Sequence, residues 1–390
     1  MTAPSRRFRW SGLALAGVLT MTLELASISP AAAFSQLNCY LQHNLVSNGA
    51  VPADQVDANL VNAWGLSSSA TSPFWVSDNG TGVTTLYNGE GQSFPVASPL
   101  VVTIPPPPHS AGPSTPTGQV FNQFAVTNPP DFVVSSGGAS GTSFFIFATE
   151  DGTISAWNPT VPPPVSSAFS TTAVLVVDNS ASGAVYKGLA IGGTSHGLFL
   201  YAANFHAGTI DVFDGQFNPA LFPPGAFVDP NLPDGFAPFN IQNLDGHLYV
   251  TYALQNDAKH DDVKGSGNGW VDVFDTDGNL LQTVAVGGQL NSPWGLVLAP
   301  DDFGPFSGDL LVGNFGDGFI NAYRPLLGGG FFFDGALRTD AGDRVSIDGL
   351  WALRFGNGSP NSGPTNTLFF TAGPNDEKDG LFGKLDACIP

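Results

Sequence analysis

Positive charge is scarce in this chain: Lys and Arg together number 12 against 32 Asp and Glu, for a formal net charge of −20. A surface of that sign repels phosphate backbones, which argues against nucleic acid as a partner and, for the same reason, against anionic membrane surfaces. Charge of either sign is thin, at 11% of residues, whereas 42% are hydrophobic and Phe alone counts 31, so the chain buries a large core and is not disordered. Acidity here serves solubility more than recognition. Helix signals are missing too. No amphipathic stretch with a 3.6-residue period stands out, and 48 Gly with 32 Pro would interrupt one. No P-loop, HExxH or serine-nucleophile motif is present. Cysteine is almost absent, with two residues, Cys39 and Cys388, close to the ends.

What is there begins with an export signal. Met1 to Trp10 carries Arg6, Arg7 and Arg9, an apolar stretch runs from Leu13 to Leu23, and Ala31-Ala32-Ala33 precedes Phe34. That order reads as a secretory signal peptide over residues 1–33, cleaved between Ala33 and Phe34. A transmembrane anchor would need roughly 20 consecutive apolar residues, and Glu24 and Pro30 interrupt this run. A lipoprotein site is disfavoured because Gln36-Leu37-Asn38 lacks the small residues wanted before Cys39. Cleavage removes three arginines and one glutamate, leaving 9 basic and 31 acidic side chains. The expectation is a secreted, extracellular or periplasmic product without a stable membrane anchor. In such an oxidising compartment the two cysteines are expected to pair, the alternative being two separate buried thiols.

The rest of the chain repeats itself six times. The strand–turn–strand units are FWVSDNGTGVTTLYN from Phe74, FFIFATEDGTISAWN from Phe144, LFLYAANFHAGTIDVFD from Leu198, LYVTYALQNDAKHDDVKGSGNGWVDVFD from Leu248, LLVGNFGDGFINAY from Leu310 and LFFTAGPNDEKDGLFGKLD from Leu368. The segments before them align as well: NAWGL at Asn62, TPTG at Thr115, YKGLA at Tyr186, PFNI at Pro238, SPWGL at Ser292 and DGLWAL at Asp348. Their spacing of about 50 to 70 residues suits a propeller blade with its loops. Period-two alternation, as in Thr209-Ile210-Asp211-Val212-Phe213, and Gly/Asn/Asp turns indicate antiparallel strands.

These features predict an all-β, six-bladed β-propeller of four-stranded antiparallel blades, a single domain over residues 34–390. A β-helix would need a shorter period. Separate sandwiches would need a linker, whereas the proline run after Ile104 falls between blades one and two and reads as a loop. Blade six runs out of chain after three strands, so its outermost strand is predicted to come from Leu37–His43. Cys39 and Cys388 then form a disulfide clasp across the seam.

LVNAWGLSSSATSPFWVSDNGTG, FATEDGTISAWNP, YAANFHAGTIDVFDG, KHDDVKGSGNGWVDVFD and LFFTAGPNDEKDGLFG resemble a family of exported, functionally uncharacterised bacterial propeller-like proteins, over essentially the whole mature chain. The resemblance implies fold and export and carries no activity. Members often end in a membrane-sorting segment; none follows Pro390, so a freely soluble product is expected. More remotely, the grammar is similar to NHL repeats and to the regucalcin and gluconolactonase group, which hold a divalent cation over the channel and hydrolyse lactones. That group's opening acidic residue before Gly-Pro has no match, since Asn62-Ala63-Trp64-Gly65 stands there, and Asp348-Gly349-Leu350 only faintly resembles its late Asp-Gly segment.

In such a propeller the turns between second and third strands share one face, here called upper, with the connections into the innermost strands. Asn79, Asn204, His206, His260, Asp317 and Asp376 are the candidate ligand-binding residues on that ring, and Asp261 with Asp262 are candidate ligands for Ca²⁺ or another divalent cation. The plain alternative is that Asp, Asn and Gly sit in these turns for backbone reasons. The loop Leu254–Gly269 is longer than its counterparts and gathers Lys259, His260, Asp261 and Asp262, a set able to hold a metal or serve as a base. Trp64, Trp294 and Trp351 recur at the starts of three innermost strands and are read as inter-blade packing rather than a ligand pocket.

Three functions follow as expectations: a monomeric module binding a small polar ligand or an extracellular protein, a metal-dependent hydrolase of the lactonase or esterase type, or a structural interaction domain.

Overall fold

A computed structural model describes residues 37–125 and 131–388. The expected signal peptide, residues 1–33, and its expected cleavage site at Ala33 and Phe34 lie outside the described residues. Among the described residues, helix is limited to two short 3-10 turns, Ser180–Ser182 and Gly304–Phe306. Everything else regular is strand, as the turn-rich, alternating repeats require.

Six antiparallel sheets form the blades. Their innermost strands are Ala63–Ser67, Pro116–Phe121, Tyr186–Thr194, Phe236–Leu244, Pro293–Leu298 and Leu350–Phe355. Each packs against the next and the sixth against the first, so the ring closes. Close approach at this ring selects the residue type. A Cβ on Gly118 would lie 2.6 Å from the backbone nitrogen of Leu189, and one on Gly188 would lie 2.4 Å from Asn240 Oδ1. Only glycine allows neighbouring inner strands that close, which explains the Gly of WGL, TPTG and KGL.

The third blade departs from the predicted four strands: Tyr186–Thr194, Gly197–Asn204 and Thr209–Asp214 form a regular sheet of three. The chain does return beside it, with Ala220 N–H donating to Val212 O at 2.8 Å, but Pro219, Pro223 and Pro224 have no N–H with which to continue a ladder.

Closure follows the predicted scheme, but the strand, predicted over Leu37–His43, is displaced along the chain. Tyr40–Ser47 pairs antiparallel with Leu381–Ala387 outside Leu368–Ala372 and Leu350–Phe355, and Gln55–Val56 adds a parallel fifth strand at the edge. Just past that pairing the Cys388 N–H donates to Cys39 O at 2.9 Å. The two sulfurs are bonded, with Cα atoms 5.4 Å apart.

The centre is filled by side chains. The residue before the ring position filled by Gly65, Gly118, Gly188, Asn240, Gly295 and Ala352 is, in blade order, Trp64, Thr117, Lys187, Phe239, Trp294 and Trp351. Trp351 stacks on Trp64 at 3.7 Å between centroids and on Phe315 at 3.9 Å, while Trp294 meets it edge-on at 5.8 Å. All three tryptophans are buried, so they plug the channel and knit blades one, five and six together.

Candidate functional site

At one of the six equivalent central positions the plug carries a charge. Lys187, only 2% exposed, replaces the aromatic residue found in four of the other copies. Its stem lies among rings, with Nζ 5.1 Å from the Trp64 centroid and 5.8 Å from that of Phe205. Its ammonium donates to Glu150, the first residue past the second strand of blade two, Phe145–Thr149.

A chain of polar contacts runs from that ion pair around the upper face. Asn79 Nδ2 donates to Glu150 Oε2 at 2.8 Å, and Asn62 Nδ2 donates to Asn79 Oδ1 at 3.2 Å and to Glu377 Oε2 at 2.8 Å. Trp351 Nε1 donates to Asn62 Oδ1 at 2.9 Å, fixing the side-chain amide against the plug. In the other direction Lys187 Nζ lies 3.8 Å from Asp261 Oδ1, which in turn lies 2.8 Å from His260 Nδ1. Residues from blades six, one, two, three and four thus meet over the closed channel.

Negative charge exceeds positive charge there. Glu150, Asp261, Asp262 and Glu377 surround Lys187, and Lys264, whose Nζ sits 4.1 Å over the Phe315 ring, is the second ammonium beside Asp262. Burial raises the Glu377 carboxyl above its ordinary value, and the Glu150 charge adds to the rise against the opposing pull of Lys187. Burial raises Asp262 as well. Its Oδ2 and the nearby Ser292 hydroxyl are buried without a hydrogen bond of ordinary geometry. His260 is shifted the other way in charge terms: its contact with Asp261 makes the imidazole more basic than usual and holds the Asp261 carboxyl below its ordinary value.

The residues anticipated from sequence fall into two groups. Asn79, His260, Asp261 and Asp262 stand in or beside this network. Asn204 is spent on its own turn, bonding Asp211 at 2.9 Å, and Asp317 on Asn291 at 3.2 Å and Asn314 at 3.1 Å. His206 is half-buried beside Gly183, and Asp376 is exposed. Among the described residues, one set of groups is spaced to hold a metal ion, with ligand atoms within 4.8 Å of one another: Glu150, His260 and Asp261. Glu150 stands there in place of the expected Asp262.

No family model matches the sequence. Two proteins of Acanthamoeba polyphaga mimivirus do: the uncharacterised protein R648 is 32% identical over 347 residues, covering 87% of this chain and 78% of its own, and the uncharacterised protein L690 is 32% identical over 348 residues, covering 87% and 84%. The chain belongs to their family. These relatives are viral, so they give no support to the bacterial origin that the sequence resemblance suggested. Among solved structures, two described as glucose dehydrogenases superpose with TM-scores of 0.51 at 12% and 13% identity, over 88% and 90% of this chain and 99% and 100% of theirs. At that identity the likeness is one of fold alone.

Four members of the network, Asn62, Lys187, Glu150 and Glu377, were not among the candidate ligands named from sequence, although Glu150 and Glu377 lie in the turns expected on the upper ring. A signal for Lys187 existed: aligning the six innermost strands puts one basic residue in a column otherwise filled by Trp, Phe and Thr. Glu150 and Glu377 look like ordinary turn residues until the fold brings them over the plug.

Proposed function

We propose that this family member is an exported binding module whose upper channel mouth holds a divalent cation, which presents itself to a small polar ligand above the tryptophan plug. The observation that carries the reading is the charge imbalance: four carboxylates with two ammonium groups, in a recess floored by buried aromatic rings. Glu150, His260 and Asp261 offer one nitrogen and two carboxylate oxygens, a mixed set suited to a borderline transition ion such as Zn²⁺ or Mn²⁺ as well as to Ca²⁺. Lys187 already answers Glu150, so an entering ion has to displace its ammonium, and the surplus carboxylates favour that exchange. Export is supported by the Cys39–Cys388 bond, because such bonds persist in oxidising compartments.

The test is titration calorimetry with Zn²⁺, Mn²⁺ and Ca²⁺ on protein first stripped with a chelator. Binding of one ion, weakened at least about tenfold by His260→Ala and by Glu150→Gln, is expected; no binding by any of the three overturns the reading. A second reading, a metal-dependent hydrolase, draws on the His260–Asp261 contact, which orients and strengthens an imidazole base. Turnover of a lactone or ester, lost in His260→Ala, would favour it.

A further inference from the structure

The opposite mouth of the channel, below the tryptophan plug, is a second concavity of about 650 Å³ whose wall comes from five blades. Such a volume is in the range of small-molecule sites. Its most unusual side chain is Arg354, which occupies, in the sixth innermost strand, the position held by Ser67, Val120, Ala190, Gln242 and Val297 in the other five. Arg354 Nε donates to Ser68 Oγ at 3.0 Å and Nη2 to Ser68 O at 3.0 Å. A guanidinium has five N–H donors. These two bonds occupy one edge and leave the Nη1–Nη2 fork, the edge whose geometry matches a carboxylate.

No carboxylate among the described residues forms an ion pair with Arg354, although the chain has 32 acidic residues and 12 basic ones. Asp245, the acidic residue on the cavity wall, is exposed and does not pair with it. Burial alone acts on the guanidinium and lowers it to about 10. Arg354 is half-buried, and a partly desolvated cation without a counter-charge is unfavourable until an anion arrives. The wall is also short of hydrogen bonds. The Ser67 hydroxyl and Gln119 Oε1, on residues 3% and 7% exposed, are buried without a partner. Gln123 and Gln242 line the same space.

We propose that this lower cavity is a binding site for a small hydroxylated carboxylic acid, the carboxylate taken by the free fork of Arg354 and the hydroxyls by the amides of Gln123 and Gln242. It is separate from the upper-face reading, since the plug of Trp64, Trp294 and Trp351 lies between the two mouths.

Calorimetry with tartrate and with D-glucuronate, against D-glucose and inorganic phosphate, tests it on the mature protein. At least one acid is expected to bind, with glucose and phosphate at least about tenfold weaker. Arg354→Gln should weaken that acid at least about tenfold. Gln242→Trp, which fills the cavity and leaves Arg354 in place, should abolish binding, and it keeps the test informative if the arginine variant fails to fold. A chelator should leave the affinity unchanged. The proposal is overturned if neither acid binds, if phosphate is preferred to both, if binding survives Gln242→Trp, or if the chelator removes it, which would assign the acid to the upper mouth.

Discussion

Lys187 Nζ lies 5.1 Å from the centroid of the Trp64 ring, although the two residues belong to blades that are not neighbours. The ammonium can sit over an aromatic plug because Glu150 answers its charge, with 3% and 12% of the two side chains exposed. Removing one partner of a buried pair leaves the other charge uncompensated, at a cost of about 3 to 5 kcal/mol. Lys187→Met is therefore expected to lose stability on that order at pH 7.5 and less at pH 4.5, where Glu377 and Asp262, whose carboxyls burial raises, take up protons more readily. The double variant Lys187→Met/Glu150→Gln should recover most of the loss. Urea unfolding at the two pH values decides it, and equal losses for the single and double variants would contradict the pairing.

Trp351 is stacked on both faces, by Trp64 at 3.7 Å and Phe315 at 3.9 Å, and its Nε1 holds Asn62. Trp351→Ala should cost about 3 to 5 kcal/mol as a cavity in the plug. It should also release Asn62, so metal affinity at the upper mouth should fall along with the melting temperature. Trp351→Phe should restore much of the stability without restoring the hydrogen bond. A Phe variant with full metal affinity would show that Asn62 needs no anchor from the plug.

The ring, its closure and the clasp were readable because each leaves a periodic or paired trace. Six WGL-like segments mark six inner strands, and a sixth blade one strand short points to the N-terminal strand. The missing fourth strand of blade three was hidden because the prolines near Pro219 look like any loop until the ladder they fail to join is seen. The polar chain over the plug was less legible. Asn62 meets Glu377 across 315 residues, and Lys187 meets Glu150 across 37, so no local spacing announces either contact. Asp317 and Asn204 look equally polar in sequence, yet their side chains close their own turns. Turn chemistry and ligand chemistry use the same residue types, and only the partner of each oxygen separates them.

The clasp closes a loop with a sequence separation of 349 residues. In the chain-entropy model a loop that long gains about 6 kcal/mol through the unfolded state. Cys39→Ser/Cys388→Ser is expected to lose on that order while keeping the pairing of Tyr40–Ser47 with Leu381–Ala387, because that ladder has its own register. Denaturant melts with and without reductant check this. Wild type under reductant should match the double variant, and an unchanged midpoint would mean that the seam is held by the strand alone.

The last prediction concerns Asp272, in the third strand of blade four, whose Oδ1 accepts from Trp270 Nε1 at 2.9 Å while its Oδ2 is buried without a partner. Burial pushes its carboxyl up to about 6 from an ordinary 3.8, against the opposing influence of the nearby Thr283 hydroxyl and the Trp270 hydrogen bond. Between those two values the folded chain holds a proton that the unfolded chain has released, so raising the pH removes stability. The contribution is fully present below about pH 4 and lost as the pH passes about 6; at 1.36 kcal/mol per unit its ceiling is about 3 kcal/mol. Asp272→Asn keeps an acceptor for Trp270 and cannot ionise. Because Glu377 and Asp262 shift in the same direction, the measurement is the difference between wild type and variant, from urea midpoints at pH 4, 5, 6 and 7. The variant should gain on wild type steadily from pH 4 to pH 6 and hold that gain at pH 7, and parallel curves would show that Asp272 ionises in the folded protein as it does in water.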